Sequence, residues 1–425
     1  MSRITRRTLG LVSCSWAVAM LAACSESPST GPETAADAPA AGAGVTVFTG
    51  ARLLVGDGTV IDNATFTVGP DNRFGLVGAT AAVTVPAGAT TVDLTGRTVM
   101  PAIVDTHTHL SRDRAGLTAD LKHRAYFGVS AAMSLGQDNG DDIYAMRREV
   151  IPGHALYRTA GRGFTAPEPG RSDVPYWITT ADEGRAGVRE QAALGVDIIK
   201  VWVDDRMGQY PKLAPELYGA VIEEAHANGL RTTAHEYYLA DAKELVRRGI
   251  DAFAHTVREP IDDEFVAMLK ERPSFVVVPN LPDRGVAQDM SWLSSSLPAE
   301  QVAQLQAAAV DRPEAQAFFA IQARNLERLS REGVKIALGT DGNVPWGAHL
   351  EMADMVATGM TPAQVIVAST GTAAEFMRLT DAGTVAPGKA ASFIVLDANP
   401  LDDITNTRRI RDVYLRGEHI DRSAY

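Results

Sequence analysis

Short apolar runs alternate with helix-like segments through the middle of the chain. Helical patterns such as Pro215–Asn228 and Leu239–Arg248 lie between the runs, and the second is followed by a glycine stop. Repeated strand–helix alternation is typical of a parallel barrel, and a doubly wound open sheet is the rival. We predict an α/β fold, with a (β/α)8 TIM barrel over residues 100–379. Its eight strands are expected at Ile103–His107, Val129–Leu135, His154–Gly161, Asp197–Val203, Arg231–His235, Asp251–His255, Phe275–Pro279 and Lys335–Thr340.

The two ends of the chain carry a different, β-rich pattern in which short apolar runs are broken by Gly, Asp and Asn. The simplest arrangement is that both ends build one small composite β-sandwich domain around the barrel, from residues 45–99 plus 380–425. Its strands are predicted at Val45–Thr49, Thr65–Val68, Phe74–Val77, Thr91–Leu94, Ser392–Asp397 and Val413–Arg416.

Residues 1–24 have the pattern of a signal peptide, with a basic start and an apolar run, Leu9–Leu21, that is short for a membrane span. The run ends in Leu21-Ala22-Ala23-Cys24, which resembles a bacterial lipobox; an ordinary cleavage site is the alternative. Paired arginines leave Sec and Tat export both open. Residues 25–44 are expected to be a flexible tether. We therefore expect an exported protein, lipid-anchored at Cys24 on the periplasmic face, with the outer membrane favoured.

Cysteine and charge narrow the functional classes. The two cysteines, Cys14 and Cys24, both lie in the leader, so the mature fold has neither a disulfide nor a thiolate metal ligand. Removal of the leader leaves 37 basic residues against 52 acidic ones, a net charge of −15. This disfavours nucleic acid as a partner and leaves the lipid anchor as the only membrane contact. Barrel enzymes often pair, so a homo-oligomer is an expectation.

Residues with metal-ligand chemistry fall at the ends of five predicted strands, where the catalytic groups of a barrel gather. Alternate residues of a strand point the same way, so a His-x-His pair can reach one cation, and imidazole suits Zn²⁺ or a similar metal. Each histidine alone would more often be a packed core residue, and a lone Asp in a Thr-Asp-Gly turn would more often be a cap. The set comprises His107, His109, Lys200, His235, His255 and Asp341.

Lys200 lies within Asp197–Val203, a run otherwise fit for a buried strand. A buried lysine is costly unless it is paired or chemically altered, and burial makes the amine neutral and reactive. A neutral amine can take up CO₂ to form a carbamate that bridges two metals. The alternatives are a snorkelling lysine or a salt bridge to Asp204 or Asp205.

Together these residues resemble the amidohydrolase superfamily, and within it the imidazolonepropionase-like branch that includes metal-dependent Xaa-Pro dipeptidases. The returning segments Gly383–Lys389 and Phe393–Asp397 carry the same resemblance. It implies two divalent metals, with zinc favoured and Mn, Co or Fe as alternatives. His107, His109 and Asp341 would hold the more buried metal, and His235 and His255 the more exposed one. Carbamylated Lys200 would bridge them, and Asp341 would act as the general base.

The predicted function is hydrolysis of a C–N bond in a small-molecule substrate, such as a dipeptide or an N-acyl amino acid. One alternative keeps the fold but uses one metal, as a cyclic-amide hydrolase or deaminase, or cleaves a lactone. Another is a catalytically silent ligand-binding lipoprotein, which predicts a missing ligand. Candidate substrate residues, chosen because they follow ligand-bearing strand ends, are Trp202, Tyr237, Tyr238, Arg258 and His349.

Overall fold

A computed structural model describes residues 44–423 of the chain. The predicted signal peptide, Cys24 and nearly all of the predicted tether lie outside these residues. Within the described residues, no helix combines the length and the apolar character needed to cross a bilayer.

Parallel strands from the middle of the chain form two sheets. Backbone hydrogen bonds link the sheet edges, from Thr106 N to Leu338 O (3.0 Å) and from Asp197 N to Thr159 O (2.8 Å). All eight predicted strand regions contain a strand, so the α/β alternation is confirmed, whereas a closed eight-stranded barrel stays a prediction. The three-stranded sheet contains β6 (Ile103–Thr108), β7 (Val129–Ser134) and β8 (Leu156–Thr159). The seven-stranded sheet contains β9 (Phe164–Thr165), β10 (Tyr176–Trp177), β11 (Ile199–Val203), β12 (Thr232–Glu236), β13 (Ala252–Phe253), β14 (Val276–Val277) and β15 (Lys335–Ile336).

Helices separate these strands, and several begin at residues that favour helix starts. Thr180 and Glu183 form a capping box, in which each side chain accepts a hydrogen bond from the other residue's backbone N–H. The helices are α1 (Arg114–Tyr126), α2 (Asp141–Met146), α3 (Ala181–Leu194), α4 (Pro215–Ala227), α5 (Leu239–Arg247), α6 (Asp263–Lys270), α7 (Ala299–Ala308), α8 (Pro313–Arg331), α9 (Gly347–Ala357), α10 (Pro362–Ser369) and α11 (Gly371–Phe376). Short 3-10 helices lie at Thr80–Ala82, Ser291–Leu293 and Ile404–Arg408.

Strand β11 shows how the sequence directs one side chain away from the helices. Ile199, Val201 and Val203 are buried in a cluster that includes apolar residues of α3, α4 and α5. Because successive residues of a strand face opposite sides, Lys200 and Trp202 face away from these helices. The strand is therefore apolar on its helix side and presents a lysine on the other.

Strands from both ends of the chain pair in one mixed sheet. Its members are β1 (Thr46–Leu54), β2 (Val60–Val68), β3 (Phe74–Ala79), β4 (Thr90–Asp93), β5 (Thr98–Pro101), β16 (Phe393–Leu396), β17 (Ile410–Leu415) and β18 (Glu418–His419). Strand β16 pairs antiparallel with β5, and Phe393 packs with its ring centroid 5.1 Å from that of Phe48. The strands of both ends belong to a single eight-stranded sheet. The arrangement of these segments as a separate composite β-sandwich domain stays a prediction.

Candidate metal centre

Three of the predicted ligands meet where β6 lies beside the segment that follows β15. The Oδ1 atom of Asp341 lies 3.1 Å from His107 Nε2 and 2.9 Å from His109 Nε2. Backbone hydrogen bonds to His107 O from Thr340 N (2.9 Å) and Asp341 N (2.8 Å) hold the two segments together. Asp341 has a left-handed backbone, with φ at 52°, a conformation that is uncommon for a residue other than glycine.

The other two histidines lie beside this group. The Nε2 atom of His255 is 3.6 Å from Asp341 Oδ2, and the ring centroids of His235 and His255 are 4.5 Å apart. His107, His255 and Asp341 can each offer one ligand atom so that all three atoms lie within 4.8 Å of one another. The nearness of these rings is what a metal site built from imidazole and carboxylate requires.

Burial sets the protonation states that a metal requires. It lowers the pKa of His107 to about 3 and that of His235 to about 4, and it holds the pKa of His255 well below its usual value. Burial alone would raise the pKa of Asp341, but the neighbouring His107, His109 and His255 hold it well below the usual range. At neutral pH these buried imidazoles are therefore neutral beside an ionised carboxylate, which is the combination that binds divalent metals.

Lys200 has no solvent exposure, and within the described part of the chain its Nζ atom has no hydrogen-bond partner. Burial lowers its pKa to about 7, although the charges of Asp341 and Glu236 act in the opposite direction. A salt bridge to Asp204 is not formed, because that carboxylate pairs with Arg206 and His235. An unpartnered buried amine beside neutral imidazoles and a carboxylate fits a metal-bridging carbamate and does not fit a snorkelling lysine.

Glycine makes room for Lys200 and its neighbour Trp202. At Gly136 an added Cβ would lie 2.9 Å from Lys200 Cγ and 2.5 Å from the Trp202 ring, and the backbone φ there is 99°. Trp202, a predicted substrate residue, is 7% exposed, and its ring centroid lies 5.5 Å from Lys200 Nζ. The buried Trp202 ring therefore packs beside the Lys200 side chain.

Two side chains that the sequence interpretation missed orient the first ligands. Asn280 Nδ2 lies 2.5 Å from His107 Nδ1 and donates to Ala254 O (2.7 Å), and Nε2 of that histidine lies 3.1 Å from Asp341 Oδ1. Thr340 Oγ1 donates to Asp105 Oδ2 (2.8 Å), so the buried Asp105 braces the residue before Asp341. Asn280 follows the seventh predicted strand directly, so the rule that places ligands at strand ends could have identified it.

Three further buried acids near the site were also missed. Glu236 is fully buried, with burial raising its pKa and the charge of Lys200 opposing the rise. Asp138 accepts hydrogen bonds from three hydroxyl groups, including that of Tyr157 at 2.8 Å. Asp204 Oδ2 lies 2.9 Å from His235 Nε2. The sequence marks Glu236 and Asp138 only as acids just after apolar runs, and it offered Asp204 as a partner for Lys200 and not for His235.

Tyr237, Tyr238 and Arg258 form a contact group shortly after His235 and His255 in the chain. The tyrosine ring centroids are 4.9 Å apart, and the Arg258 guanidinium carbon lies 4.6 Å from the Tyr237 ring centroid. Tyr238 OH donates to Asp205 Oδ1 (3.1 Å). These contacts bring the three side chains together, and their contact with substrate stays a prediction.

His349 is placed differently from its predicted role as a substrate residue. It is 1% exposed; its Nε2 lies 2.9 Å from Phe127 O and its Nδ1 lies 3.1 Å from Thr407 Oγ1. Because both ring nitrogens have protein partners in a buried site, the structure does not support contact with a substrate. The correction follows from α9 (Gly347–Ala357), which presents this side chain to the protein interior.

Replacing His349 with alanine is expected to lower the free energy of unfolding by about 2–4 kcal/mol, because the change removes a packed ring and its buried hydrogen bonds. Metal content and kcat should stay near wild type. Chemical denaturation of the metal-free protein measures the first effect. His419→Ala is the control, because its side chain is 53% exposed and little change in stability is expected. A loss of turnover with unchanged stability would contradict this assignment.

The protein-family model described as "Amidohydrolase family" matches residues 98–420. This span contains all six predicted ligands and most of the chain. The chain belongs to the amidohydrolase family. That membership confirms the family resemblance, and it makes the fold of this amidohydrolase an α/β, TIM-barrel-like one.

Individual relatives of this amidohydrolase are distant. An uncharacterised protein of Mycobacterium bovis is 26% identical over 217 residues, which are 46% of this chain and 55% of that protein, so the match spans about half of the relative's length. The imidazolonepropionase of Shouchella clausii is 26% identical over 345 residues, 72% of each chain. The crystal structure of a candidate prolidase from Bifidobacterium longum has a TM-score of 0.73 and 25% identity, covering 89% of this chain and 95% of the other.

Proposed function

We propose that this amidohydrolase is a metal-dependent hydrolase that cleaves a C–N bond of an amide or peptide-like small molecule. The observation that carries the proposal is the meeting of His107, His255 and Asp341, which offer ligand atoms within 4.8 Å of one another. The relatives named imidazolonepropionase and prolidase support a hydrolase of this bond type. The substrate class that fits best is a dipeptide or an N-acyl amino acid.

The proposed cofactors are two divalent metal ions, with zinc favoured because four of the six proposed ligands are imidazoles. His107, His109 and Asp341 would hold one ion, and His235 and His255 would hold the other. A carbamate on Lys200 would bridge the two. The buried, unpartnered Nζ atom supports this role. The ligands would gather at the mouth of a closed (β/α)8 barrel, which is the finer architecture that we propose.

The chain's own residues account for proton movement and substrate binding. When bound, divalent metals lower the pKa of water towards neutrality and polarise a carbonyl group. Asp341 is ionised and 35% exposed, so its carboxylate can accept a proton from the attacking water and pass it to the leaving amine. The Tyr237–Tyr238–Arg258 group can donate hydrogen bonds to a substrate carboxylate or to a developing oxyanion. Trp202 helps to keep bulk water from Lys200.

Two alternatives make different predictions. A mononuclear cyclic-amide hydrolase, a deaminase or a lactonase on the same fold would bind one metal or cleave another bond. A catalytically silent ligand-binding lipoprotein would lack a ligand, yet all six predicted positions carry a metal-binding residue type.

We also propose that residues 1–24 direct export and that Cys24 carries lipid, which fatty-acid labelling of wild type and Cys24→Ser would test.

Removing the metal tests the proposed function. Elemental analysis of purified protein should find two metal ions per chain, and a screen of dipeptides, N-acyl amino acids and lactones should show C–N cleavage. Chelation is expected to abolish turnover, because the attacking water depends on the metals for its activation and no cysteine lies among the described residues 44–423, and zinc should restore it. Chelation should also lower the midpoint of thermal unfolding, since a ligand that binds only the folded state stabilises it. Full turnover in metal-free protein would rule out the proposal.

A further inference from the structure

A chain of ion pairs begins at His235. Asp204 Oδ2 lies 2.9 Å from His235 Nε2 and 2.6 Å from Arg206 Nη1. Arg206 Nε in turn lies 3.0 Å from Glu168 Oε1. The side chains of Asp204, Arg206 and Glu168 are 4%, 16% and 7% exposed, so these contacts are shielded from water.

The loop after β11 (Ile199–Val203) is shaped to hold this arrangement. Arg206 N donates to Asp204 Oδ1 (2.8 Å), so both carboxylate oxygens are engaged, one by the backbone and the other by the guanidinium. Arg206 has a left-handed backbone, with φ at 52°. An uncommon backbone conformation that persists beside a buried ion pair indicates that the surroundings fix the position of Asp204.

The charges of Asp204 and Arg206 determine which ring nitrogen of His235 is available to a metal. An ionised carboxylate 2.9 Å from Nε2 can only accept a hydrogen bond, so the neutral ring carries its N–H on Nε2 and its lone pair on Nδ1. The guanidinium Nη1 of Arg206 is 3.5 Å from the same Nε2 and would repel a metal cation placed there. Histidines that bind a metal through one nitrogen commonly donate the other N–H to a carboxylate, which fixes the tautomer and the ring orientation.

We propose that Asp204, held by Arg206 and Glu168, is a positioning residue that orients His235 to bind the second metal through Nδ1. The inference rests on the proposed two-metal site, because it concerns the ion held by His235 and His255. Asp204 does not itself touch the metal. Its contribution is the hydrogen bond that keeps the ring in one orientation and one tautomer.

The test compares zinc binding in the full-length wild type, Asp204→Ala, Asp204→Asn and a control, Asp205→Asn. Asp205 is the next residue along the chain but accepts from Tyr238 OH (3.1 Å) instead of His235. Competition with a chelator gives the zinc dissociation constant of each site. Asp204→Ala should weaken one of the two sites by about 10–100-fold. Asp204→Asn should stay near wild type, because its amide oxygen can accept the same hydrogen bond, and Asp205→Asn should not change.

Cobalt distinguishes positioning from direct ligation. A cysteine that binds Co²⁺ produces a thiolate charge-transfer absorption, and Asp204→Cys should show no more of it than the matched Asp205→Cys protein. A stronger band in Asp204→Cys would place residue 204 on the metal and overturn the inference, as would wild-type zinc affinity in Asp204→Ala. Wild-type protein that binds fewer than two zinc ions would overturn this inference and the two-metal site together, whereas the other two outcomes overturn the inference alone.

Discussion

Replacing Lys200 with alanine is expected to remove one of the two metals and to lower kcat/KM by at least about 100-fold. Loss of a group that only supports a metal ligand costs about 10–100-fold, and loss of a bridging ligand should cost no less than the upper value. The reason is that Nζ is buried and has no hydrogen-bond partner among the described residues, whereas a carbamate there would connect both ions. Elemental analysis and steady-state kinetics on the same protein preparation measure the two effects.

The matched control is Lys270→Ala, because Lys270 is half exposed and forms a surface ion pair with Glu332 at 2.8 Å. This variant should keep both metals and full turnover. A short carboxylic acid added to Lys200→Ala should restore part of the second metal, because it supplies two oxygens in the space that the side chain vacates. Full metal content and full turnover in Lys200→Ala would count against the bridging role.

Asp341→Asn is expected to lower kcat by about 10²–10⁴-fold, the usual contribution of a general base. Asparagine keeps the size of the side chain but cannot accept the proton, and it removes the anion that lies beside three imidazoles. The measurement is kcat at saturating substrate and metal, with its dependence on pH. Asp263→Asn, whose aspartate side chain is 98% exposed, is the control. A kcat within a factor of a few of wild type would remove Asp341 from the chemistry.

The sequence predicted where the strands and helices lie along the chain better than it predicted the residues at which they begin and end. Every predicted central strand contains an observed strand, but β13 (Ala252–Phe253) and β14 (Val276–Val277) are two residues long where longer runs were expected. Strands β9 and β10 were not predicted, because a two-residue pair carries no periodicity. Strand β5 (Thr98–Pro101) was not predicted either, so the sequence anticipated only that strands from both ends share a domain and not the pairing of β16 with β5.

The metal ligands could be predicted from the sequence for a physical reason, whereas the residues that orient them could not. Strand ends in a parallel α/β fold face one mouth, so histidines at those ends must approach one another, as His107, His235 and His255 do. Asp204 and Arg206 act through partners that come together only after folding. His349 lies eight residues after Asp341, yet α9 (Gly347–Ala357) takes it into the interior, and sequence distance from a ligand could not reveal that.

The most direct test of the account is a crystal structure of zinc-loaded protein with anomalous scattering measured at the zinc edge. Two peaks are expected, each about 2.0–2.2 Å from its ligand atoms. One should lie against His107, His109 and Asp341, and the other against His235 Nδ1 and His255, with density for a carbamate on Lys200 between them. Absence of a peak at this centre, with zinc bound elsewhere on the chain, would contradict the account.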